Sequence, residues 1–175
     1  MKLLFENWRK YLNEIQKGLW RHLTTDSAVK DWPEYVIKEV IYNAMKGEGG
    51  SNLEDIKEWW SEDFGYENLE EVRWKLKDIE LNISSFDEFT QERLKQRLSG
   101  SEWAEKAGIP KDKERLATQL KFAQASGKPS KEPIVIVQTV EGKYHLLEGW
   151  HRTLTYLENW GEYVQPTWIA ESKKL

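Results

Sequence analysis

The residues best suited to chemistry lie in one short segment, Glu148-Gly149-Trp150-His151-Arg152. An apolar run ends just before this segment and a helical pattern begins just after it, which predicts a strand-to-helix turn. The first amides of a helix lack partners within the helix, and the helix dipole makes them attractive to anions. The segment therefore predicts a site for a phosphate or a carboxylate.

Individual residues of the turn support this prediction. Gly149 permits a sharp bend and a close approach of a ligand to the backbone. Arg152 would oppose the helix dipole unless an anion lay between its side chain and the amides. His151 can donate a second hydrogen bond, and Thr153 can add a hydroxyl. The alternative is structural: a glycine turn in which Arg152 pairs with a nearby carboxylate and His151 is satisfied in the core.

Apolar patterns predict the elements that hold the turn. Residues 134–137 are an unbroken β-branched run, which is typical of a strand buried on both faces. Residues 144–147 are predicted to form a second short strand, and we expect the two strands to pair as a hairpin. A helix over 151–159, a cap at Gly161 and a closing strand over 164–170 follow.

The part of the chain before residue 70 is predicted to be helical. Apolar spacing predicts an amphipathic helix over 1–20 and a second helix that starts at Asp31-Trp32-Pro33. Ser51-Asn52-Leu53-Glu54 has the spacing of a capping box. Alternating apolar residues from Val72 to Ile83 predict a strand or a pair of short strands. Helical periodicity then returns in two further segments, 86–99 and 111–126.

Composition narrows the classes of function. The 175 residues include no cysteine, so disulfides, thiolate metal sites and cysteine nucleophiles are excluded. Acidic residues outnumber basic ones, 30 to 26, which argues against a bulk electrostatic grip on nucleic acid. The longest apolar runs are far below the ~20 residues that cross a bilayer, and the start of the chain lacks a signal-peptide pattern. We therefore expect a cytoplasmic protein with no membrane partner.

The order of these features resembles the ParB/sulfiredoxin fold. In that family a Pro-Ile-Val strand leads to a hairpin and a Gly-x-His-Arg or Gly-Glu-Arg-Arg turn, and then to a helix and a last strand. Here Pro133–Val137, the hairpin, Gly149–Arg152 and the cap at Gly161 follow in that order. The resemblance covers residues 70–172. It implies an α+β (α/β) fold with a small mixed sheet, preceded by a helical region over 1–66.

Members of that family bind nucleotide phosphates at this turn, with CTP, ATP or ADP as ligands. The resemblance therefore implies a nucleoside triphosphate or diphosphate here, with Mg²⁺. The implied phosphate contacts are Gly149, Trp150, His151 and Arg152. The residues themselves add Thr153, through its hydroxyl, and Lys128, through its charge, to the candidate binding set. Glu148 stands where many relatives carry aspartate, and it would orient the turn or hold the metal through water. Glu148 and His151 are accordingly the catalytic candidates.

Two departures from the family pattern limit what the resemblance implies. Trp150 stands where sulfiredoxin carries its cysteine, which excludes reduction of a sulfinic acid. No helix-turn-helix segment follows before Leu175, so we do not expect a full chromosome-partitioning protein. Many family members are described as nucleases, but no cluster of acidic metal ligands stands out in this sequence.

Other polar residues offer weaker candidates. His145, Glu148 and His151 are spaced by three, which would suit zinc on one helix, but here they span a strand, a turn and a helix start. Three acidic residues lie near the end of the first predicted strand, Asp78, Glu80 and Asp87. The serine-kinase branch of the family places a catalytic carboxylate there, and a solvated strand edge is the alternative. Lys128 and Lys131 would reach the phosphates or keep their loop soluble.

Three hypotheses about function follow. The first is a nucleotide-binding protein, an NTPase or a phosphotransferase. The second is a DNA-binding module or nuclease that uses the same turn against backbone phosphate. The third is a non-enzymatic interaction or virion component that docks a protein partner through the helix over 1–20. Residues 3–12 loosely resemble a leader-like segment of tailed-bacteriophage proteins, which hints at a viral origin.

Overall fold

The computed structural model describes residues 17–46, 52–98 and 112–173. The chain divides into two compact units, Met1–Val72 and Arg73–Leu175. The described residues combine helices with a four-stranded mixed sheet, so the expected α+β class is confirmed. Among these residues, no helix has the length and apolar character needed to span a bilayer.

The first unit is helical. Its described elements are α1 over residues 17–25, α2 over Glu34–Val36 with a π-helical stretch Ile37–Tyr42 and a last turn Asn43–Lys46, α3 over Leu53–Phe64, and a 3-10 turn over Leu69–Glu71. Most of the helix predicted over 1–20 lies outside the described residues, although 17–20 are helical. Its expected role in docking a partner stays a prediction.

Aromatic residues form the core of the first unit. Trp60 is fully buried, and its ring centroid lies 5.2 Å from that of Trp32 and 5.1 Å from that of Phe64. The indole nitrogen of Trp32 donates a hydrogen bond of 3.0 Å to the carbonyl oxygen of Leu69. Large aromatic side chains bury much apolar area, and a buried indole N–H needs such an acceptor. These tryptophans are therefore core residues.

Two helix starts in the first unit differ from the predictions by a few residues. The helix expected at Asp31 begins at Glu34, because Pro33 takes the N-cap position. The capping box expected from Ser51 is displaced by one residue. Asn52 Oδ1 accepts from the amide of Asp55 at 3.0 Å, and Asp55 Oδ2 accepts from the amide of Asn52 at 2.8 Å. The prediction was wrong in register because either residue type can cap a helix.

The second unit contains the predicted strands and helices in the predicted order. They are β1 over Lys75–Asn82, a 3-10 turn over Ile83–Ser85, α4 over Glu88–Leu98, α5 over Asp112–Ser126, β2 over Ile134–Gln138, β3 over Tyr144–Glu148, α6 over Trp150–Trp160 and β4 over Glu162–Glu171. The alternation from Val72 to Ile83 therefore corresponds to one strand, β1.

The sheet has the order β1-β4-β2-β3, so the last strand in sequence lies inside it. β4 is antiparallel to β1 and parallel to β2, and β2 pairs with β3 as an antiparallel hairpin. All four residues from Ile134 to Val137 are fully buried, which confirms the prediction of a strand buried on both faces. α6 connects β3 to β4, and it contributes Leu154 and Tyr156 to the core cluster that includes Ile134 and Leu146.

Candidate functional site

Gly149 is the turn between β3 and α6. Its backbone has φ 101° and ψ 18°, in the left-handed region that side chains other than glycine rarely adopt. A Cβ added at this position would lie 2.5 Å from Cγ2 of Ile134, the first residue of β2. The turn is therefore packed directly on the neighbouring strand, and only glycine fits both the backbone angle and the space.

α6 begins at this turn without an anionic group of its own. Gly149 occupies the N-cap position, no side chain caps the helix start, and the first turn contains no acidic residue. The only titratable side chains in that turn are those of His151 and Arg152. The positive end of the helix dipole thus lies beside a cation, an arrangement that favours a negatively charged partner.

Arg152 has such a partner within the chain. Its side chain is buried, Nη1 donates to the carboxylate of Glu132, and Nη2 donates to the carbonyl oxygen of Pro133 at 2.9 Å. The pairing agrees with the structural alternative raised for this residue by the sequence. Glu132 is the more exposed member, because 57% of its side-chain surface is accessible, against 10% for Arg152.

The loop that carries Glu132 is held by hydrogen bonds from α6 and β4. The amide of Ser130 donates to the hydroxyl of Tyr156 at 2.9 Å. Nε2 of the fully buried Gln165 donates to the carbonyl oxygens of Ser130, at 3.1 Å, and of Glu132. These bonds satisfy backbone groups of a connecting segment, and they fix its path beside α6 and β4.

The remaining candidate residues differ in their exposure to solvent. Glu148 at the end of β3 and His151 in α6 are half-buried, and Lys128 is exposed in the loop before β2. Trp150 is partly buried and packs against the core cluster. Thr153 is fully buried, and its hydroxyl does not reach the exposed side of the turn.

The hydroxyl of Thr153 lies beside Tyr163 inside the unit. Burial raises the pKa of the Tyr163 hydroxyl above its ordinary value, and the neighbouring Thr153 hydroxyl offsets part of that rise. Both hydroxyls therefore belong to a buried contact between α6 and β4. Gly149, Trp150, His151 and Arg152 are consecutive at the helix start, and the side chain of the next residue, Thr153, is buried beside Tyr163.

A second polar cluster joins α4 to β3. Oδ2 of Asp87 lies 2.7 Å from Nδ1 of His145, and Oδ1 accepts from the amide of Thr90 at 2.9 Å. The hydroxyl of Thr90 in turn accepts from the amide of Leu146. The ring of Phe89 stacks on that of His145, with 5.2 Å between centroids. This cluster caps α4 and fixes it to the edge of the sheet.

Burial would raise the pKa of the Asp87 carboxyl, but its hydrogen bonds with His145 and Thr90 outweigh burial and hold that pKa below the ordinary value. Asp87 was expected at a solvated strand edge, and it is instead a half-buried cap. The sequence carried a signal for the cap, because an aspartate stands just before a helical pattern. Nothing in the sequence indicated that His145, 58 residues away, would be the partner of Asp87. Asp78 and Glu80 are exposed on β1, as the alternative predicted.

Several carboxylates, besides that of Asp87, lie around the start of α4. A surface groove of about 350 Å³ lies there, lined by Phe86, Asp87, Glu88, Gln91, Glu92, Lys95, Glu141 and Lys143. Its four carboxylates and two ammonium groups disfavour an anion. Within the described parts of the chain, no group of three or more histidine, aspartate or glutamate side chains is arranged to hold a metal ion. The zinc hypothesis for His145, Glu148 and His151 gains no support.

Comparisons with models of known protein families, with curated proteins and with solved structures find no match. The resemblance to the ParB/sulfiredoxin fold therefore stays a prediction, and so does every residue role that depends on it.

Proposed function

We propose that the start of α6 binds the phosphate group of a nucleotide or of a related small phosphate compound. One observation carries the proposal: the 11-residue helix α6 follows the N-cap residue Gly149 with no capping side chain and no acidic residue in its first turn, while Arg152 lies in that turn. The helix dipole and a guanidinium together favour an oxyanion with several acceptor atoms. A cation in this position otherwise weakens a helix.

The loop before β2 adds to the positive charge available to such a ligand. Lys128 and Lys131 are exposed in the segment that leads to Glu132. The hydrogen bonds of Ser130 and Glu132 with Tyr156 and Gln165 keep this segment beside α6. Lysine side chains are flexible and carry a compact charge, so they can bind a phosphate without a fixed geometry.

A nucleotide is favoured over other phosphates by the resemblance of the turn, and Mg²⁺ would come with it. Mg²⁺ in nucleotide sites is held mainly by phosphates and water, with one or two protein carboxylates. Glu148 offers one half-buried carboxylate immediately before Gly149, which fits this requirement. Bound Mg²⁺ would supply charge neutralisation of the phosphates. His151, in the first turn of α6, would exchange a proton with a ligand bound there.

The direct test is an NMR titration of the labelled protein with ATP, CTP, GTP and ADP in the presence of Mg²⁺. We expect saturable changes in the chemical shifts of the amides of Gly149–Arg152 with at least one nucleotide. Arg152→Ala should abolish the shifts. Arg93→Ala is the matched control, because Arg93 lies over the ring of Phe89 in α4 and its loss removes the same charge. The absence of amide shifts with all four nucleotides would overturn the proposal.

Two further measurements separate related activities. A phosphate-release assay on the wild-type protein distinguishes turnover from binding, because a pure binding site releases no phosphate. If the wild type does release phosphate, Glu148→Gln and His151→Gln test whether these two residues take part in the turnover. Retention on duplex DNA at several salt concentrations tests the DNA hypothesis, since contacts to backbone phosphates weaken steeply with salt. The net charge of -4 leads us to expect no such retention.

A further inference from the structure

The two members of the Arg152–Glu132 ion pair differ in how freely they can move. The Arg152 side chain is nine-tenths buried and its guanidinium is also held by the carbonyl oxygen of Pro133, whereas more than half of the Glu132 side chain is exposed. A buried guanidinium must keep an acceptor, because an unpaired buried charge is costly. An exposed carboxylate can instead turn into water and be solvated there. Glu132 is therefore the member that can leave the pair when another acceptor takes its place on the guanidinium.

The backbone of Glu132 does not need to move for this to happen. Its carbonyl oxygen is held by Nε2 of Gln165, and Ser130 is held by Tyr156 and Gln165. Rotation about the side-chain bonds of Glu132 is enough to withdraw the carboxylate from Nη1 of Arg152. Rotation of an exposed side chain is fast and requires no opening of the loop.

We infer that Glu132 is an internal competitor of the ligand, and that its carboxylate holds the position on Arg152 that a phosphate oxygen takes on binding. This inference rests on the proposed phosphate binding by α6. It assigns to the loop before β2 a regulatory role: the carboxylate keeps Arg152 neutralised until a stronger anion replaces it. The replacement is an exchange of hydrogen-bond acceptors on one guanidinium, and no covalent bond changes.

The competitor also defines the class of ligand. A phosphodiester carries one negative charge, like the carboxylate that it would replace, so the exchange brings no gain in charge. A phosphate monoester carries close to two negative charges at neutral pH and offers three acceptor oxygens. The site therefore selects the terminal, doubly charged phosphate of a small molecule over the diester phosphates of a nucleic acid.

The test uses the full chain, with methyl phosphate as the monoester and dimethyl phosphate as the diester, at about pH 7.5, where the monoester is largely doubly charged. We expect Glu132→Gln to bind methyl phosphate about three- to tenfold more tightly than the wild type, since an exposed competing carboxylate is worth on the order of 1 kcal/mol. Glu171→Gln is the matched control. Glu171 is an exposed glutamate of β4 that pairs with Lys75 at 3.1 Å, and its loss changes the net charge equally.

The outcomes separate this inference from the proposed function. If the wild type binds methyl phosphate and Glu132→Gln binds it equally or more weakly, the inference is overturned and phosphate binding stands. If both variants tighten binding equally, only net charge matters and the inference is overturned as well. If no form binds methyl phosphate, the inference is overturned, whereas the titration with the four nucleotides alone decides the proposed function. Wild-type binding of dimethyl phosphate as tight as that of methyl phosphate would overturn the selection for a monoester.

A measurement on the wild type guards against a misfolded variant. The ¹³C signal of the Glu132 carboxylate should shift as methyl phosphate is added, because the group leaves the guanidinium for water. The Arg152 side-chain signals should shift over the same concentration range. A saturating titration in which the Glu132 carboxylate signal stays unchanged would overturn the inference.

Discussion

α4 and α6 begin in opposite ways, although both belong to the second unit. α4 is preceded by Asp87, which caps it, and carries Glu88 in its first turn. α6 begins at Gly149 and carries Arg152 instead. When an N-cap carboxylate accepts a hydrogen bond from a first-turn amide, it also places a negative charge at the positive end of the helix dipole, so the helix start needs no further anion. A helix that begins with a cation must obtain an anion from elsewhere, and here Glu132 supplies one.

The largest effect on the free energy of unfolding should come from substitution of Gly149, the residue at the start of α6. Gly149→Ala forces a positive φ, at about 1–2 kcal/mol, and a contact with Ile134 that adds about 1–3 kcal/mol of overpacking. Urea unfolding should therefore show a loss of about 2–5 kcal/mol. Gly142→Ala is the control, because its φ of 76° is similar but the added Cβ meets nothing within 4 Å. Equal losses in the two variants would contradict the packing argument.

Removal of Arg152 should have the next largest effect. Arg152→Ala deletes two charge-assisted hydrogen bonds of a buried side chain, so we expect a loss of about 2–3 kcal/mol in the free energy of unfolding. Arg93→Ala removes a cation–aromatic contact at the surface of α4 and should cost about 0.5–1 kcal/mol. Thermal and urea unfolding measure both values. A smaller loss for Arg152→Ala than for Arg93→Ala would mean that the Glu132 pair contributes little to stability.

The cap of α4 should depend on pH. Asp87→Ala should cost about 1–2 kcal/mol at neutral pH, because the helix start loses its acceptor. The folded pKa of Asp87 is lowered, so the stabilisation of the carboxylate is complete above the ordinary value of 3.8 and is lost as the pH falls through the folded value. The difference between wild type and variant should therefore shrink below about pH 4. Asp78→Ala, at an exposed position on β1, should show no such change. Unfolding curves of the wild type and both variants, at neutral pH and below about pH 4, measure these differences.

The smallest effects should have opposite signs at the two helices. His151→Glu places an acidic residue in the first turn of α6 and should stabilise the unit by about 0.3–1 kcal/mol, while weakening phosphate binding. Glu88→Gln removes the acidic residue from the first turn of α4 and should destabilise by a similar amount. Melting temperatures at low salt report both. Shifts of the same sign would show that the helix dipole does not distinguish the two starts.

The turn at Gly149 could be predicted from the sequence because its information is local. An apolar β-branched run, a glycine and a helical pattern follow one another within about 20 residues, and each has a short-range physical cause. The reason why only glycine fits is not local, since it depends on the contact with Ile134 across the sheet. The burial of Thr153 was likewise missed, because it depends on the face of α6 that packs on β4 near Tyr163.

The partner of Arg152 could not be identified from the sequence. Glu132 is 20 residues away, and its loop is positioned by Tyr156 and Gln165 rather than by its own composition. The pairing of Asp87 with His145 has the same origin, because it joins residues 58 positions apart. Sequence periodicity defines elements well, whereas contacts between loops and distant side chains depend on the assembled sheet.

The position of β4 inside the sheet has a consequence for how the second unit folds. β1 pairs with β4 over residues as distant as Lys75 and Ile169, and β2 also needs β4 as its parallel neighbour. Until β4 has been synthesised, β1 and the β2–β3 hairpin have no strand in common, and both present open edges on which other chains can add. Pairings this distant in sequence form slowly. We therefore expect the sheet to assemble only after β4 has left the ribosome, with aggregation as the competing reaction during that interval.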